Sequence, residues 1–595
     1  MELENFIKNS ISKAIAVNFD LKVDENNILL QPTKTEFVGD FTFVTFSLAK
    51  DLKQSPLNIG KIIGDYLLDQ LDMVQSFNTV QGFLNIELKK SVWYDQLIKL
   101  SLLGDKIGVY PPKDIKIMVE YASPNTNKPL HLGHLRNNFL GFSVAEILKA
   151  NGYEVQKTNI INNRGIHICK SMLAYQLYGN NETPESAGLK GDHLVGNYYV
   201  KFDQAYKEEI KELVANGMGE EEAKKKAPLM EKAQKMLLDW ENGDAETMAL
   251  WTKMNEWVYA GFDQTFKKMG VDFDTIYYES NMYLDGKKTV EDGLNAGVFF
   301  QKPDTSVWVD LTDEGLDQKL VLRSDGTSVY ITQDIGLADK KFADFPMQKS
   351  VYVVGNEQDY HFDVLFRIMK KLGRPYADGL YHLSYGMVDL PSGKMKSREG
   401  TVVDADELIA EMEATAKAKT EELGKIDGFT AIEASNLYET LGLGALKYFL
   451  LKVDPKKRML FNPAESIEFQ GNTGPFIQYT YARIQAILRK ANESEIELAL
   501  PENTIDLQPI EISLVNLLYN YPVKVKEAGE NYSPATIAQF AYDLAKTFNS
   551  MYAELSILGE QNLDKKQTRI VLSNTIGQTI KHAMSLLGIK VPERM

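Results

Sequence analysis

The spacing of apolar and polar positions differs between parts of the chain, and each spacing predicts a type of element. Ile7, Ile11 and Ile15 recur every four residues, which is the spacing of one face of a helix. Residues 41–46 and 83–88 are instead short runs rich in aromatic and branched side chains, as is typical of strands. The N-terminal part is therefore predicted to mix helices and strands.

From residue 115 onwards, strand-like apolar runs are followed repeatedly by segments of helical length and periodicity. The predicted strands are 115–122, 153–161, 350–355 and 381–390, and the predicted helices are 134–150, 166–178, 360–372 and 404–423. Strands that lead into helices in this way indicate a doubly wound parallel sheet, a type that commonly binds nucleotides. Residues 180–260 are long, charged and helical, so we expect them to form an insertion in this sheet domain.

Helical periodicity dominates after about residue 430, as at Leu437, Leu441 and Leu446, and strand-like runs fade. The final part is therefore predicted to be an all-α bundle. We expect the first domain boundary at the consecutive prolines Pro111 and Pro112. The predicted fold class is α/β, with an α+β N-terminal domain at 1–110, a doubly wound parallel-sheet (Rossmann-like) domain at 111–455 carrying the helical insertion at about 180–260, and an all-α C-terminal bundle at 456–595.

The composition of the 595 residues is that of a soluble globular protein, with 44% hydrophobic and 25% charged residues. The aromatic residues, 27 Phe, 29 Tyr and 5 Trp, supply enough apolar surface to exclude disorder of the whole chain. Cys169 is the single cysteine, which excludes a disulfide framework and a zinc site built from cysteine thiolates.

Charge argues against one class of nucleic-acid partner and leaves another open. Lys and Arg number 66 against 82 Asp and Glu, which gives a net charge of −16 and a pI near 5.2. A general nucleic-acid coat protein would carry a basic excess, whereas a large enzyme with a local basic groove is compatible with this balance.

The first residues include acids where a signal peptide would carry Lys or Arg, and no apolar run approaches the ~18 residues of a membrane span. We therefore expect a cytoplasmic protein without a membrane partner.

The most informative stretch is 123–134, which reads Ser-Pro-Asn-Thr-Asn-Lys-Pro-Leu-His-Leu-Gly-His. It follows a predicted strand and opens a predicted helix, which is where a doubly wound sheet binds phosphates. His131 and His134 lie on one face of the first turn, and as neutral rings they could donate hydrogen bonds to phosphate oxygens. Gly133 removes a side chain between them, so that a flat ring such as adenine could approach the backbone. The alternative is a helix start whose histidines only cap and pack.

A second stretch, 393–400, reads Gly-Lys-Met-Lys-Ser-Arg-Glu-Gly and places three cations within five residues, at Lys394, Lys396 and Arg398. The flanking glycines are possible hinges, and the stretch lies between the last predicted strand and the last predicted helix of the sheet domain. These features predict a loop that could close on a polyphosphate. Standing alone, such a basic cluster would more simply be a solvated surface loop.

Together these stretches resemble the signatures of a known family. Residues 131–134 resemble the HIGH signature of class I aminoacyl-tRNA synthetases, and residues 394–398 resemble their KMSKS signature. Four further segments narrow the resemblance to the arginyl-tRNA synthetases: Ser-Pro-Asn at 123–125, Thr-Gln-Asp-Ile-Gly at 332–336, Gln-x-x-His-Phe at 358–362, and Gly-Asn-Thr-Gly-Pro-Phe at 471–476 with Tyr-Ala-Arg at 481–483. The joint match, in the family's order, is far more specific than any single motif.

The resemblance implies an arginine–tRNA ligase, which activates L-arginine with ATP and Mg²⁺ and transfers it to the terminal ribose of tRNA(Arg). The two histidines would hold the α-phosphate region, and the cations would stabilise the charge on the leaving pyrophosphate. The second lysine of the KMSKS pattern is replaced by Ser397, a departure for which Lys128 would compensate. The implied catalytic residues are Lys128, His131, Gly133, His134, Lys394 and Arg398.

The resemblance also implies the residues that bind each substrate. Two acids would meet the guanidinium group and polar side chains would hold the rest of the arginine, the set being Glu279, Asp334, Tyr330, Ser123, Asn125 and Gln358. ATP would be bound by His131, His134, His361, Met387, Lys394 and Lys396, and tRNA by Tyr479, Tyr481 and Arg483 of an anticodon-binding domain. The N-terminal domain would contact the corner of the tRNA. The resemblance further implies a monomer, and no zinc or other protein-bound metal.

Several alternatives stay open at this point. Asp334 could be an acid at a helix N-terminus, Glu279 a surface acid and Tyr330 a core aromatic residue. The spacing of Tyr479, Tyr481 and Arg483 also suits a helix that packs against its neighbours. The alternative functions are another class I synthetase, and a tRNA-binding regulatory paralogue that lacks catalysis.

Overall fold

The N-terminal part folds around a small antiparallel sheet. In the computed structural model, which describes residues 2–34, 36–282, 285–389, 403–424 and 426–595, its elements are α1 (Glu2–Phe19), β1 (Leu30–Pro32), β2 (Phe41–Val44), α2 (Phe46–Leu52), α3 (Pro56–Gln70), β3 (Val74–Val80), β4 (Phe83–Leu88) and α4 (Lys90–Leu103). The strand order is β1-β2-β4-β3. Gly64 lets α3 pack closely on β3, because a Cβ there would lie 2.3 Å from the Phe77 ring. The predicted α+β character of this part is confirmed.

The next part of the chain alternates strands and helices. In chain order its elements are β5 (Lys116–Glu120), α5 (Leu132–Ala150), β6 (Glu154–Ile161), α6 (Ile166–Tyr178), α7 (Pro184–Ala187), α8 (Gly191–Ala215), α9 (Glu220–Lys226), α10 (Pro228–Glu241), α11 (Ala245–Met269), β7 (Thr275–Tyr278), α12 (Glu279–Met282), α13 (Asp285–Asn295), β8 (Phe299–Gln301), β9 (Val307–Val309), β10 (Lys319–Leu322), α14 (Tyr330–Asp344), β11 (Lys349–Gly355), α15 (Asp359–Lys371), β12 (Leu380–Tyr385) and β13 (Val388–Asp389).

Five of these strands form one parallel sheet in the order β12-β11-β5-β6-β7. The chain starts at β5 in the middle, adds β6 and β7 on one side, and then adds β11 and β12 on the other. This is the doubly wound arrangement that the sequence predicts, and the winding direction reverses between β5 and β11. Helices α7 to α11 form the predicted insertion, between α6 and β7.

Two features of this part differ from the sequence prediction. The antiparallel sheet β10-β9-β8 was not anticipated, because strands of three or four residues carry too little periodicity to be recognised. The predicted strand 381–390 is two strands: β12 ends at Tyr385, and β13 pairs with β14 (Met459–Leu460) instead of the main sheet. The break occurs at Gly386, whose amide donates to the carbonyl of Pro455 at 2.9 Å.

In the part that the structure describes, the rest of the chain is helical apart from β14. Two of these described helices precede β14 and five follow it. They are α16 (Ala405–Glu422), α17 (Ala431–Leu451), α18 (Pro463–Ser466), α19 (Gly474–Glu493), α20 (Pro509–Glu530), α21 (Pro534–Glu554) and α22 (Leu563–Leu586). The predicted all-α C-terminal part is therefore confirmed. Among the described residues, no helix is both long and apolar enough to span a membrane.

The chain forms two compact units. The first comprises Met1–Gly104, Ile487–Asn520 and Thr547–Ile576, and the second comprises Asp105–Ala486, Tyr521–Lys546 and Gly577–Met595. Every candidate site residue that the structure describes belongs to the second unit.

Candidate active site

A cavity of about 410 Å³ opens at the carboxyl ends of the parallel strands. Its lining includes residues at or just after the ends of four strands: Glu120 of β5, Ile160 of β6, Glu279 after β7 and Val354 of β11. The winding of the sheet reverses between β5 and β11, and ligands of doubly wound sheets bind at this switch point. The topology therefore explains why a binding cavity lies here.

The cavity brings together six side chains that the sequence assigns to substrates, which are Ser123, Glu279, Tyr330, Asp334, Gln358 and His361. Asn125 is not among the lining residues. It is exposed, and its backbone pairs with Asn162, which does line the cavity. His361 was assigned to ATP from the sequence, but it lies among the residues assigned to arginine.

The turn after β5 has an unusual backbone conformation. Ala122 and Ser123 have φ angles of +77° and +46°, in the left-handed region that non-glycine residues rarely adopt. Asn137 Oδ1 accepts a hydrogen bond from the Ala122 amide at 2.6 Å. Asn159 Oδ1 accepts one from the Ser123 amide at 3.1 Å, and Asn162 Nδ2 donates to the Ser123 carbonyl at 3.1 Å. Strained backbone persists where its surroundings fix it in this way, and here it presents Ser123 to the cavity.

Three carboxylates face the cavity, and two of them pair with basic side chains of the protein. Glu120 forms a buried ion pair with Lys341 of α14. Asp334 Oδ2 lies 2.6 Å from His361 Nε2, and this hydrogen bond raises the pKa of His361. Asp334 is the fifth residue of α14 and bonds to His361 instead of to backbone amides, so the helix-terminus alternative does not describe it. The sequence analysis missed Glu120, although an acid within an apolar strand is a visible signal.

The third acid, Glu279, begins α12 directly after β7 and is half-buried. Burial raises its pKa to about 6, although the nearby charge of Arg164 opposes this shift. Asn163 fixes the start of α12, because its Oδ1 accepts from the Ser280 amide at 2.9 Å and its Nδ2 donates to Ser280 Oγ at 2.9 Å. Asn163 Nδ2 also donates to the hydroxyl of Tyr259 on the insertion at 2.8 Å. Glu279 is therefore a fixed acid in the cavity, and no motif pointed to Asn163.

Tyr330 and Gln358 lie at the open side of the cavity. Tyr330 is the first residue of α14, and 82% of its surface is exposed, which excludes the alternative of a core aromatic residue. Gln358 immediately precedes α15 and is also exposed. Both side chains can therefore reach a ligand in the cavity.

The two histidines of the 123–134 stretch cap helix α5. His131 Nδ1 accepts a hydrogen bond from the Gly133 amide at 3.2 Å, and His134 Nδ1 accepts one from the His131 amide at 3.1 Å. Because each Nδ1 is an acceptor, each neutral ring carries its proton on Nε2. Burial lowers the pKa of His131 to about 3 and the pKa of His134 well below its usual value. The capping alternative is thus correct in itself, and it leaves two Nε2–H donors for a ligand.

Lys128 supplies positive charge beside these neutral rings. It is half-buried, burial lowers its pKa, and its charge contributes to the lowered pKa of both histidines. In the described part of the chain, no acid lies within ion-pairing distance of Lys128. The start of α5 therefore combines a cation with neutral donors, a combination suited to phosphate oxygens.

The segment that contains His131 is paired with the start of α16. Residues 130–132 and 403–405 form an isolated antiparallel bridge with backbone hydrogen bonds of 3.2 and 3.0 Å, in which His131 faces Asp404. The basic stretch with Lys394, Lys396 and Arg398 lies outside the described residues, which resume at residue 403.

Met387, assigned to ATP from the sequence, lies between β12 and β13. Its Sδ is 4.0 Å from the position that a Cβ on Gly355 would occupy, and Gly355 ends β11. The missing side chain leaves room over this strand end for a flat group. Met387 does not line the cavity that contains Asp334.

Comparison with known proteins decides the family. The descriptions of the matching family models are "Arginyl tRNA synthetase N terminal domain" for residues 1–88, "tRNA synthetases class I (R), catalytic domain" for 98–462 and "DALR anticodon binding domain" for 477–595. The chain is 56% identical to an arginine–tRNA ligase of Flavobacterium psychrophilum and 55% identical to one of Amoebophilus asiaticus, and each match covers 100% of both chains. The chain belongs to the arginine–tRNA ligase family.

Solved structures agree in fold. The arginyl-tRNA synthetase of Thermus thermophilus is 24% identical with a TM-score of 0.81, over 100% of both chains. That of Plasmodium falciparum is 21% identical with a TM-score of 0.77, over 100% of this chain and 99% of the other. The resemblance inferred from the motifs and the function it implies, arginine–tRNA ligase, are both confirmed. Neither another class I synthetase nor a paralogue without catalysis is favoured.

The three residues assigned to tRNA lie on α19. Tyr481 is only 3% exposed, so its ring packs in the protein interior and cannot stack on a base. Its assignment to tRNA is therefore corrected to a packing role. Tyr479 and Arg483 are half-buried, and the guanidinium carbon of Arg483 lies 4.9 Å from the centre of the Tyr479 ring. This pair retains the aromatic and cationic surface that contacts with unpaired bases use.

Proposed function

We propose that the cavity at the ends of β5, β6, β7 and β11 binds arginine, and that the start of α5 binds the phosphates of ATP. The observation that carries this proposal is the set of three carboxylates in one cavity at the end of β5, the strand that leads into the phosphate-type helix start. Guanidinium is planar and permanently charged, and carboxylates at fixed positions match its fork of donors.

Asp334 and Glu279 are the proposed partners of the guanidinium group. Asp334 uses Oδ2 for His361, and Oδ1 is its proposed contact with the guanidinium group. Burial raises the pKa of Glu279, and a bound cation would favour its ionised form. Ser123, on its strained turn, and the exposed Gln358 are the proposed contacts of the amino and carboxylate groups, with Asn125 adjacent.

His131 and His134 are the proposed donors to the α-phosphate, through Nε2–H. Lys128, together with Lys394 and Arg398 of the second signature, would stabilise negative charge on the leaving pyrophosphate. Mg²⁺ enters as the companion of ATP and would neutralise part of the phosphate charge. Gly133 and Met387 are the proposed surfaces for adenine, with Lys396 near the phosphates, whereas His361 is reassigned to the arginine cavity.

Two displacements complete the reaction. A carboxylate oxygen of arginine forms a bond to the α-phosphorus of ATP as the bond to pyrophosphate breaks. The 2′-hydroxyl of the terminal ribose then forms a bond to the activated carbonyl carbon, loses its proton, and AMP leaves. Neither step needs a protein nucleophile, because positioning and charge stabilisation supply the catalysis.

The proposed division of labour follows the predicted parts of the chain. Residues 111–455 would catalyse both steps, residues 456–595 would bind the anticodon region with Tyr479 and Arg483, and residues 1–110 would contact the tRNA corner. We expect a monomer that acts in the cytoplasm on tRNA(Arg).

Exchange of pyrophosphate into ATP tests this proposal. It is measured with each amino acid in turn, with and without tRNA. We expect exchange with arginine alone among the amino acids. Exchange with another amino acid, or none with any of them, would contradict it, and the latter result would favour the paralogue that lacks catalysis.

A further inference from the structure

A cluster of charged side chains connects the helical insertion to the segment that faces His131. We call it the α8 cluster, and its members are Lys190, Asp192, His193, Thr265, Asp404 and Asp406. The first three belong to the start of α8, Thr265 lies on α11, and the two aspartates begin α16. None of the six lines the cavity.

The cluster is closely paired. His193 Nε2 lies 3.1 Å from Asp404 Oδ2 and 3.4 Å from Asp406 Oδ2. Lys190 forms an ion pair with Asp406, and its Nζ lies 2.6 Å from Thr265 Oγ1. The carboxylates of Asp404 and Asp406 beside it raise the pKa of His193 to about 10, so that its ring is cationic at neutral pH. Two cations of the insertion therefore hold two acids of α16.

The same side chains have some of the properties of a metal site. Asp192, His193 and Asp406 each bring one possible ligand atom to within 4.8 Å of the others. Lys190 already provides the positive charge, since it pairs with Asp406 and its Nζ lies 3.4 Å from Asp192 Oδ2. The arrangement is therefore an ion-pair cluster of the protein.

Asp404 carries the effect of the cluster to the active site. Its Oδ1 caps α16, accepting from the amides of Asp406 at 2.8 Å and Glu407 at 3.1 Å, while its Oδ2 faces His193. The backbone of Asp404 is the partner of His131 in the isolated bridge. A shift of Asp404 would thus be transmitted directly to His131.

Helix α8 also contacts the other side of this bridge. A Cβ on Gly196 would lie 2.7 Å from Pro129 Cδ, so the helix backbone packs against the residues that lead into His131. Lys128 is the residue before Pro129. The start of α8 therefore contacts Asp404, within one strand of the bridge, through charge, and Pro129, just before the other strand, through close packing.

We propose that His193 and Lys190 are positioning residues for the activation of arginine by ATP. They hold Asp404 and Asp406 so that the bridge keeps His131 at the phosphates, and in this way the insertion takes part in catalysis. This inference rests on the proposed function of His131. Because the cluster lies outside the cavity, it affects the use of ATP and leaves arginine binding unchanged.

The test compares four variants in the full-length protein: His193→Ala, His193→Gln, Asp404→Asn and the control Lys211→Ala. Gln places an amide donor near the position of Nε2, and Asn retains the helix cap while removing the charge that meets His193. Lys211 is an exposed residue of α8 whose ion pair with Glu208 stays within the helix. Pyrophosphate exchange with tRNA gives kcat and the KM for ATP, calorimetry gives the Kd for arginine, and thermal unfolding reports on the fold.

We expect His193→Ala to lower kcat/KM for ATP about tenfold or more, with the Kd for arginine changed less than about twofold. His193→Gln should recover most of the loss, and Lys211→Ala should match the unmodified protein. Combining His193→Ala with Asp404→Asn should cost no more than the larger single effect.

Unchanged ATP kinetics in His193→Ala would overturn the inference. A loss that affects ATP and arginine equally, lowers Tm and is not recovered by Gln would also overturn it, because it would show a scaffold role alone. Absence of exchange by the unmodified protein is a separate result, which would refute the proposed function itself.

Discussion

At the scale of single residues, two of the three acids in the cavity have basic partners within the protein. Glu120 is paired with Lys341 and Asp334 with His361, while Glu279 has a raised pKa because it is buried. Three unpaired carboxylates in one cavity would repel one another and lower the stability of the fold. The internal partners keep the acids in place at modest cost, and a guanidinium group can then bind where these carboxylates converge.

The first prediction concerns Asp334. Asp334→Asn removes the charge but keeps the size of the side chain, so the KM for arginine should rise about 100-fold while the KM for ATP changes little. Pyrophosphate exchange measures both values. Asp344→Asn, at the other end of the same helix, is the matched control and should retain arginine kinetics. Unchanged arginine kinetics in Asp334→Asn would remove Asp334 from the site.

The second prediction follows from the pKa of Glu279, which is raised to about 6. The ionised form binds the guanidinium group, so arginine affinity should be full above this value and fall as the pH drops through it. Calorimetry between pH ~8 and ~5 measures this dependence. Glu279→Gln should bind arginine weakly and show no fall in affinity near pH 6. Glu291 is an exposed acid on α13, and Glu291→Gln should retain this fall. A fall that persists in Glu279→Gln would assign it to another group.

At the scale of elements, the start of α5 shows how capping and the proposed phosphate binding can use the same side chains. Each histidine uses Nδ1 to satisfy a backbone amide at the helix end, and this contact fixes the ring and its tautomer. The outward Nε2–H is then held in position without any further residue. Structural and functional roles of His131 and His134 are therefore not alternatives.

The third prediction separates the two roles at His134. In His134→Asn, the amide oxygen can replace Nδ1 as acceptor, whereas His134→Ala loses both the cap contact and the donor. Both variants should lower kcat for exchange about 100-fold, because both lack Nε2–H. Only His134→Ala should also lose about 1 kcal/mol of folding free energy, as measured by denaturant unfolding. Equal activity of His134→Asn and the unmodified protein would contradict the role of the donor.

Elements with a long periodic pattern were predictable from the sequence, whereas the prediction failed for elements with a short pattern. Helix α16 and strand β11 follow their predicted bounds closely, because each has a regular apolar face or run. The small sheet β8 to β10 lacks such a signal, and the break at Gly386 depends on Pro455, a partner far away in the chain. Local patterns do not contain information about a distant partner.

Site residues divide in the same way. Asp334 was found because it lies in a family motif and Glu279 because of its family position, and the structure places both in one cavity. Asn163 and Lys341 act through contacts with residues of other elements, and no motif contains these pairs. Tyr481 shows the reverse error, since a motif position alone does not reveal that the ring is buried.

At the scale of the whole molecule, the net charge of −16 has to be reconciled with a polyanionic partner. Much of the acidity lies in short-range surface pairs such as Glu222 with Lys226 on α9, which are solvated and contribute little to any partner. We propose that the acids of the cavity bind a cationic substrate. Positive charge for tRNA must therefore be local, and the proposed contributors include Lys128 and Arg483.

The fourth prediction concerns salt. If binding depends on local Lys and Arg contacts with phosphates, the affinity for tRNA should fall linearly on a plot of log K against log salt, despite the acidic pI. Arg483→Ala should weaken binding and reduce the slope, as measured by filter binding across a salt series. A slope that does not differ between Arg483→Ala and the unmodified protein would place Arg483 outside the interface.

The central claim is that the carboxylates of the cavity select arginine through its guanidinium charge. Citrulline tests it most directly, because it has nearly the same shape as arginine but carries a neutral urea group. The measurement is pyrophosphate exchange by the unmodified protein with tRNA and with either amino acid at a range of concentrations. We expect kcat/KM for citrulline to be about 10⁴-fold below that for arginine. Values within a factor of about ten of each other would contradict it, because a cavity that reads shape alone gives no more than that.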